Sequence, residues 1–206
     1  RVYEFWSDGD WKEASFLMKA YNKNGLSPDH IGPISLGFVH DKINLQPMQS
    51  RSQNSSKGNR LSYEDFTKLM KLEESGNQVI SWHSKSKWDE VKKLVKERII
   101  SLPEAQETLR KNLHLVLLIL FELKKDNQFE FLKFLLNEKY AFFNVKVKSI
   151  DPIIIEKSPS KKQTYKNNAT RYVKNSLDSL DKYKDKKNRR VSSLNEDEIK
   201  LIVSKV

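Results

Sequence analysis

The sequence predicts a mainly α-helical protein, because apolar residues recur at helical spacing along most of its length. Residues 88 to 100 predict one such helix, whose apolar face is Trp88, Val91, Leu94, Val95 and Ile99. The run from Leu109 to Leu123 predicts the most buried helix of the chain. Strand-like alternation is confined to residues 140 to 148, where Phe143, Val145 and Val147 alternate with polar residues.

Local signals mark the ends of two helices in the N-terminal part. Residues 10 to 21 carry apolar side chains at roughly helical spacing, and Asn22-Lys23-Asn24-Gly25 ends that helix. Ser62-Tyr63-Glu64-Asp65 is typical of a capping box. The apolar residues after it predict an amphipathic helix that Gly76-Asn77 stops.

The second half of the chain predicts further helices and one strand. Ser101-Leu102-Pro103-Glu104 starts a helix, because proline suits the first turn and glutamate complements the helix dipole. Residues 129 to 136 complete a helical layer, and Asp151-Pro152 closes the strand of residues 140 to 148. A Ser-Lys-rich linker follows Pro159, and two more helices are predicted at residues 170 to 183 and 193 to 203.

The charge of the chain favours a nucleic-acid partner. Lysine and arginine number 38 against 27 acidic residues, so the formal net charge is +11. Residues 156 to 190 hold twelve basic and four acidic residues, which is 12 − 4 = +8 of that excess. Such a segment attracts a phosphate backbone by counterion release. The alternative is a solvated tail, because lysine-rich runs are commonly exposed helix faces.

Length and composition bound the organisation. A chain of 206 residues fits one sizeable domain, or a compact domain with an arm. We predict a domain of residues 1–155 and a basic C-terminal part of residues 156–206. The chain has no cysteine, so it is not a disulfide scaffold. Its longest apolar stretch is too short to cross a bilayer and no signal peptide is evident, which predicts a soluble, cytoplasmic protein without a membrane partner.

Three polar clusters follow one another between residues 27 and 60. They are Asp29-His30-Ile31, Asn44-Leu45-Gln46 and Asn54-Ser55-Ser56-Lys57. In order and spacing this segment, about a sixth of the chain, resembles the HNH, or ββα-metal, nuclease motif. The resemblance implies a small β-hairpin followed by a helix, embedded among the other helices. The fold class is therefore mainly α with a small β-hairpin that carries the HNH motif.

The resemblance also implies roles for four residues. His30 is the general base, since an imidazole with a pKa near ~6.5 can accept a proton from water at working pH. Asp29 binds the metal ion. Asn54 stands where many relatives carry histidine and a subset carries asparagine, and its amide oxygen is the second ligand. Asn44 braces the loop and holds His30 in one orientation.

An oxygen-rich ligand set of this kind suits Mg²⁺, with Mn²⁺ able to substitute, better than zinc. Phosphate contacts are expected beyond the metal as well. Lys57 and Arg60 lie within the motif, and four further basic residues lie in the C-terminal segment: Lys186, Lys187, Arg189 and Arg190. His40 can also reach phosphate, whereas His83 and His114 are expected to be structural.

The resulting hypothesis is a metal-dependent endonuclease that cuts double-stranded DNA, as the cleavage domain of a type II restriction enzyme or a related defence enzyme. Homing and phage endonucleases share the motif and are alternatives. A different class is a nucleic-acid-binding module that keeps the HNH frame and cleaves nothing. The chain opens with Arg1, which fits a fragment that has an additional recognition domain elsewhere. Cutting both strands requires either a homodimer or sequential nicks.

Overall fold

The computed structural model describes residues 6–136, 145–157, 173–174, 176–178, 180, 200–201 and 203–204. Over these residues the chain is mainly helical and has two small antiparallel hairpins. The helices are α1 (Trp11–Lys23), α2 (Arg51–Lys57), α3 (Tyr63–Glu74), α4 (Lys85–Lys96), α5 (Leu102–Lys125) and α6 (Phe129–Leu135). The strands are β1 (Ser27–His30), β2 (Leu45–Met48), β3 (Val145–Ile150) and β4 (Ile153–Lys157).

The chain groups into two compact units. One is Ser7–Leu113, and the other combines Arg1–Trp6 with His114–Val206. The division falls inside the continuous helix α5, between Leu113 and His114. We predicted a boundary at residue 155 instead. That boundary, between a domain of residues 1–155 and a basic C-terminal part of residues 156–206, stays a prediction.

The unit Ser7–Leu113 is built on an aromatic centre. Phe38 and Trp88 are fully buried, and their ring centroids lie 5.1 Å apart in an edge-to-face arrangement. Phe66 of α3 meets Trp88 in the same way at 5.4 Å. Such pairs add about 0.5–1.5 kcal/mol each beyond the area they bury. Phe38 lies in the loop between β1 and β2, so this centre fixes that loop against α3 and α4.

Helix α1 packs on the first hairpin. Asp10 caps its start by accepting hydrogen bonds from the backbone N–H groups of Lys12 and Glu13. The buried residue of α1 is Ala14, whereas Phe16 is 73% exposed. The apolar spacing therefore predicted the helix, and the exposed side chain of Phe16 does not belong to its buried face.

The first hairpin has a fixed register. Strands β1 and β2 are antiparallel, and the paired residues include Asp29 with Gln46 and His30 with Leu45. Residues 31–44 connect the strands, and helix α2 begins three residues after β2 ends. The hairpin followed by a helix that the resemblance implied is present here, with Asp29 and His30 on β1 and Asn54 on α2.

Helix α3 begins with the predicted capping box, in which Ser62 and Asp65 exchange hydrogen bonds. Near its other end, Glu73 accepts from Lys92 of α4 at 2.7 Å. Burial alone lowers the pKa of Lys92, but its hydrogen bonds to Asp89 and Glu73 outweigh that effect and raise the pKa. This ion pair ties α3 to α4.

Two element ends differ from prediction. Helix α4 stops at Lys96, because Arg98 has a φ of +58° in the left-handed region that a helix cannot continue through. The strand placed at residues 140–148 is described from Val145 to Ile150, and it pairs with a second strand, β4, that we did not predict. The residues Ile153-Ile154-Ile155 of β4 do not alternate with polar residues, so they gave no strand signal.

The second unit has its own core, in which α5, α6 and β3 contribute buried residues. These are Leu117, Leu120, Leu123, Leu132, Leu136, Val147 and Ile150, with further members at Trp6, Val173, Leu177, Leu180 and Val203. Among the described residues, no helix is both long and apolar enough to span a membrane. The helices predicted at residues 170–183 and 193–203 fall largely outside the described residues.

Candidate functional site

Asp29 of β1 lies at the centre of a charged cluster. Its carboxylate oxygen Oδ2 is 2.6 Å from Nζ of Lys57, the last residue of α2. The same ammonium group donates to the backbone carbonyl of His30 at 2.8 Å and lies 3.2 Å from Oδ2 of Asp65. The side chains of Lys57 and Asp29 are only 13% and 11% exposed. The structure therefore places a positive group, largely shielded from water, directly on the predicted metal-binding carboxylate.

Helix α2 is short, and its ends are fixed by hydrogen bonds. The hydroxyl of Ser50 accepts from the backbone N–H of Gln53, which caps the start. Gly58, with a φ of +56°, ends the helix immediately after Lys57. Asn54 and Lys57 lie three residues apart and so share one face of the helix. Both contact strand β1 or the chain just after it.

Asn54 faces the start of β1 through its amide nitrogen. Nδ2 donates to the carbonyl of Pro28 at 2.8 Å and to the hydroxyl of Ser27 at 3.1 Å. A backbone carbonyl can only accept, so this contact fixes which end of the amide is nitrogen. The carbonyl oxygen Oδ1 is then the atom of Asn54 that can serve as a metal ligand.

His30 follows Asp29 on the strand, and its ring meets another histidine. The centroids of His30 and His40 are 5.2 Å apart, with the rings at 72° to each other. His40 lies in the loop between the strands, and its backbone N–H donates to the carbonyl of Asp8 at 2.7 Å. The sequence did not predict this pairing, because it depends on how the loop of residues 31–44 folds back on β1.

Asn44 is 1% exposed, and both the oxygen and the nitrogen of its side-chain amide hydrogen-bond to the backbone of that loop. Oδ1 accepts from the N–H of Gly32 at 2.7 Å, while Nδ2 donates to the carbonyls of Gly32 and Val39 at 2.8 and 2.7 Å. The backbone carbonyl of Asn44 also accepts from Ile31 at 2.8 Å. Asn44 thus fixes the backbone of Ile31 and Gly32, the two residues that follow His30, and its predicted role in orienting the His30 side chain stays a prediction.

Two residues of the cluster were missed by sequence reasoning. Asp65 was recognised as a helix cap, but its contact with Lys57 brings together residues that no local pattern links. Gln46 stands opposite Asp29 in the register, and its Nε2 lies 3.3 Å from both Asp29 Oδ2 and Asp65 Oδ1. The register of the hairpin was the one signal that could have identified Gln46.

Five further basic residues were predicted to contact phosphate. Arg60 is exposed three residues beyond the end of α2. Lys186, Lys187, Arg189 and Arg190 lie outside the described residues. Over the described part of the chain, no group of three or more histidine, cysteine, aspartate or glutamate side chains is placed to hold a metal ion.

Comparison with known proteins gives the family. The model of a family described as type II restriction endonuclease (RE_Alw26IDE) matches residues 1–206. No curated protein matches the chain, and no solved structure does. Type II restriction endonucleases are hydrolases that cleave DNA and generally use a divalent metal ion, usually Mg²⁺. Since the match covers the whole chain, the protein belongs to the type II restriction endonuclease family.

Proposed function

We propose that this protein is an HNH-type endonuclease that hydrolyses the phosphodiester bonds of double-stranded DNA at a single Mg²⁺ site. The observation that carries the proposal is the convergence of Asp29, His30 and Asn54 on one hairpin and the helix that follows it. The family match supports DNA as the substrate and restriction as the setting. It favours that setting over a homing or phage role.

The residues present fit a hard divalent cation. Asp29 offers a carboxylate oxygen and Asn54 an amide oxygen, which are the donor atoms that Mg²⁺ and Mn²⁺ prefer. The ammonium of Lys57 already lies on Asp29, so this position accommodates positive charge. When bound, the metal ion would polarise the scissile phosphate and neutralise charge on the leaving 3′ oxygen.

The side chains around this position supply the rest of the chemistry. A ring nitrogen of His30 takes the proton of the attacking water, because imidazole is the side chain suited to proton transfer near neutral pH. Asn44 holds the backbone of Ile31 and Gly32, and with it the strand end that carries His30. Arg60 is exposed three residues beyond the end of α2 and can contact a neighbouring phosphate as a planar fork.

Two substitutions test the ligand assignment. Changing Asp29 or Asn54 to alanine removes one oxygen ligand, so we expect the Mg²⁺ concentration for half-maximal cleavage to rise by more than about tenfold in each variant. Asn59→Ala, at an exposed position two residues beyond the end of α2, is the matched control and should leave the titration unchanged. An unaltered Mg²⁺ titration in either site variant removes that residue from the ligand set.

The basic C-terminal segment supplies a separate prediction. Neutralising Lys186, Lys187, Arg189 and Arg190 together should weaken binding to all DNA sequences alike. It should also flatten the slope of log K against log salt by about 0.9 for each phosphate that the protein no longer neutralises. A control variant removes the same charge from exposed lysines elsewhere: Lys12, Lys85, Lys93 and Lys96. If the salt dependence of the variant with the four C-terminal substitutions is unchanged, the segment does not contact DNA phosphates.

A non-cleaving DNA-binding module is the second candidate, and the ion pair between Lys57 and Asp29 is the observation that favours it. A carboxylate neutralised by lysine has less charge to offer a metal ion. The two candidates differ in one readout, because the module binds DNA equally well with and without Mg²⁺ and produces no cut.

For the enzyme, a double-strand break needs two copies of the site or two successive nicks.

A further inference from the structure

We propose that Lys57 is a resident cation that occupies the metal position at Asp29 until a divalent ion displaces it, and that Asp65 retains the displaced ammonium group. This inference rests on the proposed function, since it requires a metal ion to bind Asp29. Lys57 then controls the entry of the metal ion. Asp65 contacts Lys57 and Gln46, which both contact the predicted ligand Asp29, so its role is to position Lys57.

Lys57 is held as a bound cation would be held. Its Nζ meets four oxygens: Asp29 Oδ2 at 2.6 Å, the His30 carbonyl at 2.8 Å, Asp65 Oδ2 at 3.2 Å and the Ile31 carbonyl at 3.4 Å. The side chains of Lys57, Asp29 and Asp65 are 13%, 11% and 6% exposed. An ammonium group so far removed from water is stable only because negative and polar oxygens surround it.

Lys57 and a metal ion compete for the carboxylate of Asp29, so each binds it more weakly when the other is present. Both need the same carboxylate, and two cations held on one carboxylate repel each other at short range. Lysine carries its charge on a flexible stem, unlike the planar fork of arginine, so its ammonium can shift without a change in the backbone. Asp65 already lies 3.2 Å from that ammonium. A short displacement away from Asp29 therefore keeps a carboxylate partner for Lys57.

Asp65 is fixed before any such movement. Its Oδ2 accepts from the hydroxyl of Ser62 at 2.9 Å, and its own N–H donates to that hydroxyl at 3.0 Å. Gln46 lies 3.3 Å from both carboxylates through one nitrogen, which keeps them at a constant separation. The charges of Asp29, Asp65 and Lys57 add to −1 − 1 + 1 = −1, so the cluster has room for one divalent ion at a final charge of +1. Without Asp65 that final charge is +2.

The test measures metal binding directly and needs no cleavage. Mn²⁺ is the probe, and its free concentration is read from its paramagnetic resonance signal during titration of the full chain. Lys57→Met removes the competing cation and should tighten Mn²⁺ binding at Asp29 by about tenfold, the size of coupling typical within one ion-pair network. Asp65→Asn leaves Lys57 with Asp29 as its one carboxylate and should weaken Mn²⁺ binding by about tenfold.

The double variant separates the two possible roles of Asp65. In the Lys57→Met background Asp65→Asn should weaken Mn²⁺ binding by less than it does when Lys57 is present, because only the charge of Asp65 is then lost and no lysine remains to be retained. Lys57→Met alone leaves the carboxylates of Asp29 and Asp65 without the ammonium group between them, and they repel each other. The double variant relieves this repulsion, so it replaces Lys57→Met if that protein fails to fold. Ser62→Ala is the control for the helix cap, since it disturbs the start of α3 and keeps both carboxylates.

Several outcomes overturn the inference. Equal Mn²⁺ affinity in the native protein and Lys57→Met means that Lys57 does not compete, while the proposed metal site stands. An equal loss from Asp65→Asn in both backgrounds means that Asp65 acts on the metal ion by its own charge or by coordination, and not by retaining Lys57. The Asp29→Ala substitution should abolish Mn²⁺ binding at this site. If it leaves Mn²⁺ binding unchanged in both the native protein and Lys57→Met, the metal site of the proposed function fails as well.

Discussion

Replacing His30 with alanine should lower the rate of DNA cleavage by about 10²–10⁴-fold, the range that a positioned general base contributes. The substitution removes the proton acceptor for the attacking water and leaves the charged groups of the site in place. DNA binding and the midpoint of thermal unfolding should therefore stay close to those of the native protein. Single-turnover cleavage of a labelled duplex at saturating Mg²⁺ measures the effect on the chemical step.

His40 and His114 provide matched comparisons. His40 meets the ring of His30, so His40→Ala tests whether that contact matters, and it should reduce the rate less than His30→Ala does. His114, on α5, lies outside the unit that holds the site, and His114→Gln should not change the rate. A His30→Ala protein that cuts at the native rate contradicts the assignment of the base.

Replacing Asn44 with alanine should destabilise the unit Ser7–Leu113 by about 3 kcal/mol or more. The change leaves the N–H of Gly32 and the carbonyls of Gly32 and Val39 buried without their hydrogen bonds, and each such group costs about 1–3 kcal/mol. Cleavage should also fall at temperatures where the protein remains folded, because the chain immediately after His30 loses its brace. Urea unfolding gives the stability and single-turnover kinetics give the rate.

Two other asparagine variants sharpen that result. Asn44→Asp keeps the acceptor for Gly32 N–H but places an oxygen against the two carbonyls, so it should cost at least as much as alanine. Asn59→Ala, at an exposed position, should stay within about 0.5 kcal/mol of the native protein. A free energy of unfolding for Asn44→Ala as close to native as that of Asn59→Ala contradicts the bracing role.

Elements with strong local signals were predictable from the sequence. Helix α1 has a capping aspartate at its start, and α3 has a complete capping box. These signals depend on neighbours in the chain, so they survive in any fold. The hairpin and α2 have weak propensities of their own, and they were predicted only because three spaced polar clusters resemble a known motif.

Features set by contacts between distant residues were not predictable. The approach of Asp65 to Lys57 depends on how α3 packs beside α2, and the meeting of His30 with His40 depends on a long loop. Lys57 was expected on phosphate, which stays a prediction, and nothing in the sequence indicated its ion pair with Asp29. The strand β4 was missed because three consecutive isoleucines lack the alternation that marks a half-buried strand.

The measurement that tests the central claim most directly is cleavage of supercoiled plasmid by the full chain, with Mg²⁺ and with the ion chelated. We expect conversion to nicked or linear DNA only when Mg²⁺ is present, and we expect His30→Ala to bind the plasmid and leave it intact under both conditions. Cleavage that persists after chelation, or equal cleavage by the native protein and His30→Ala, contradicts a metal-dependent centre built on Asp29, His30 and Asn54.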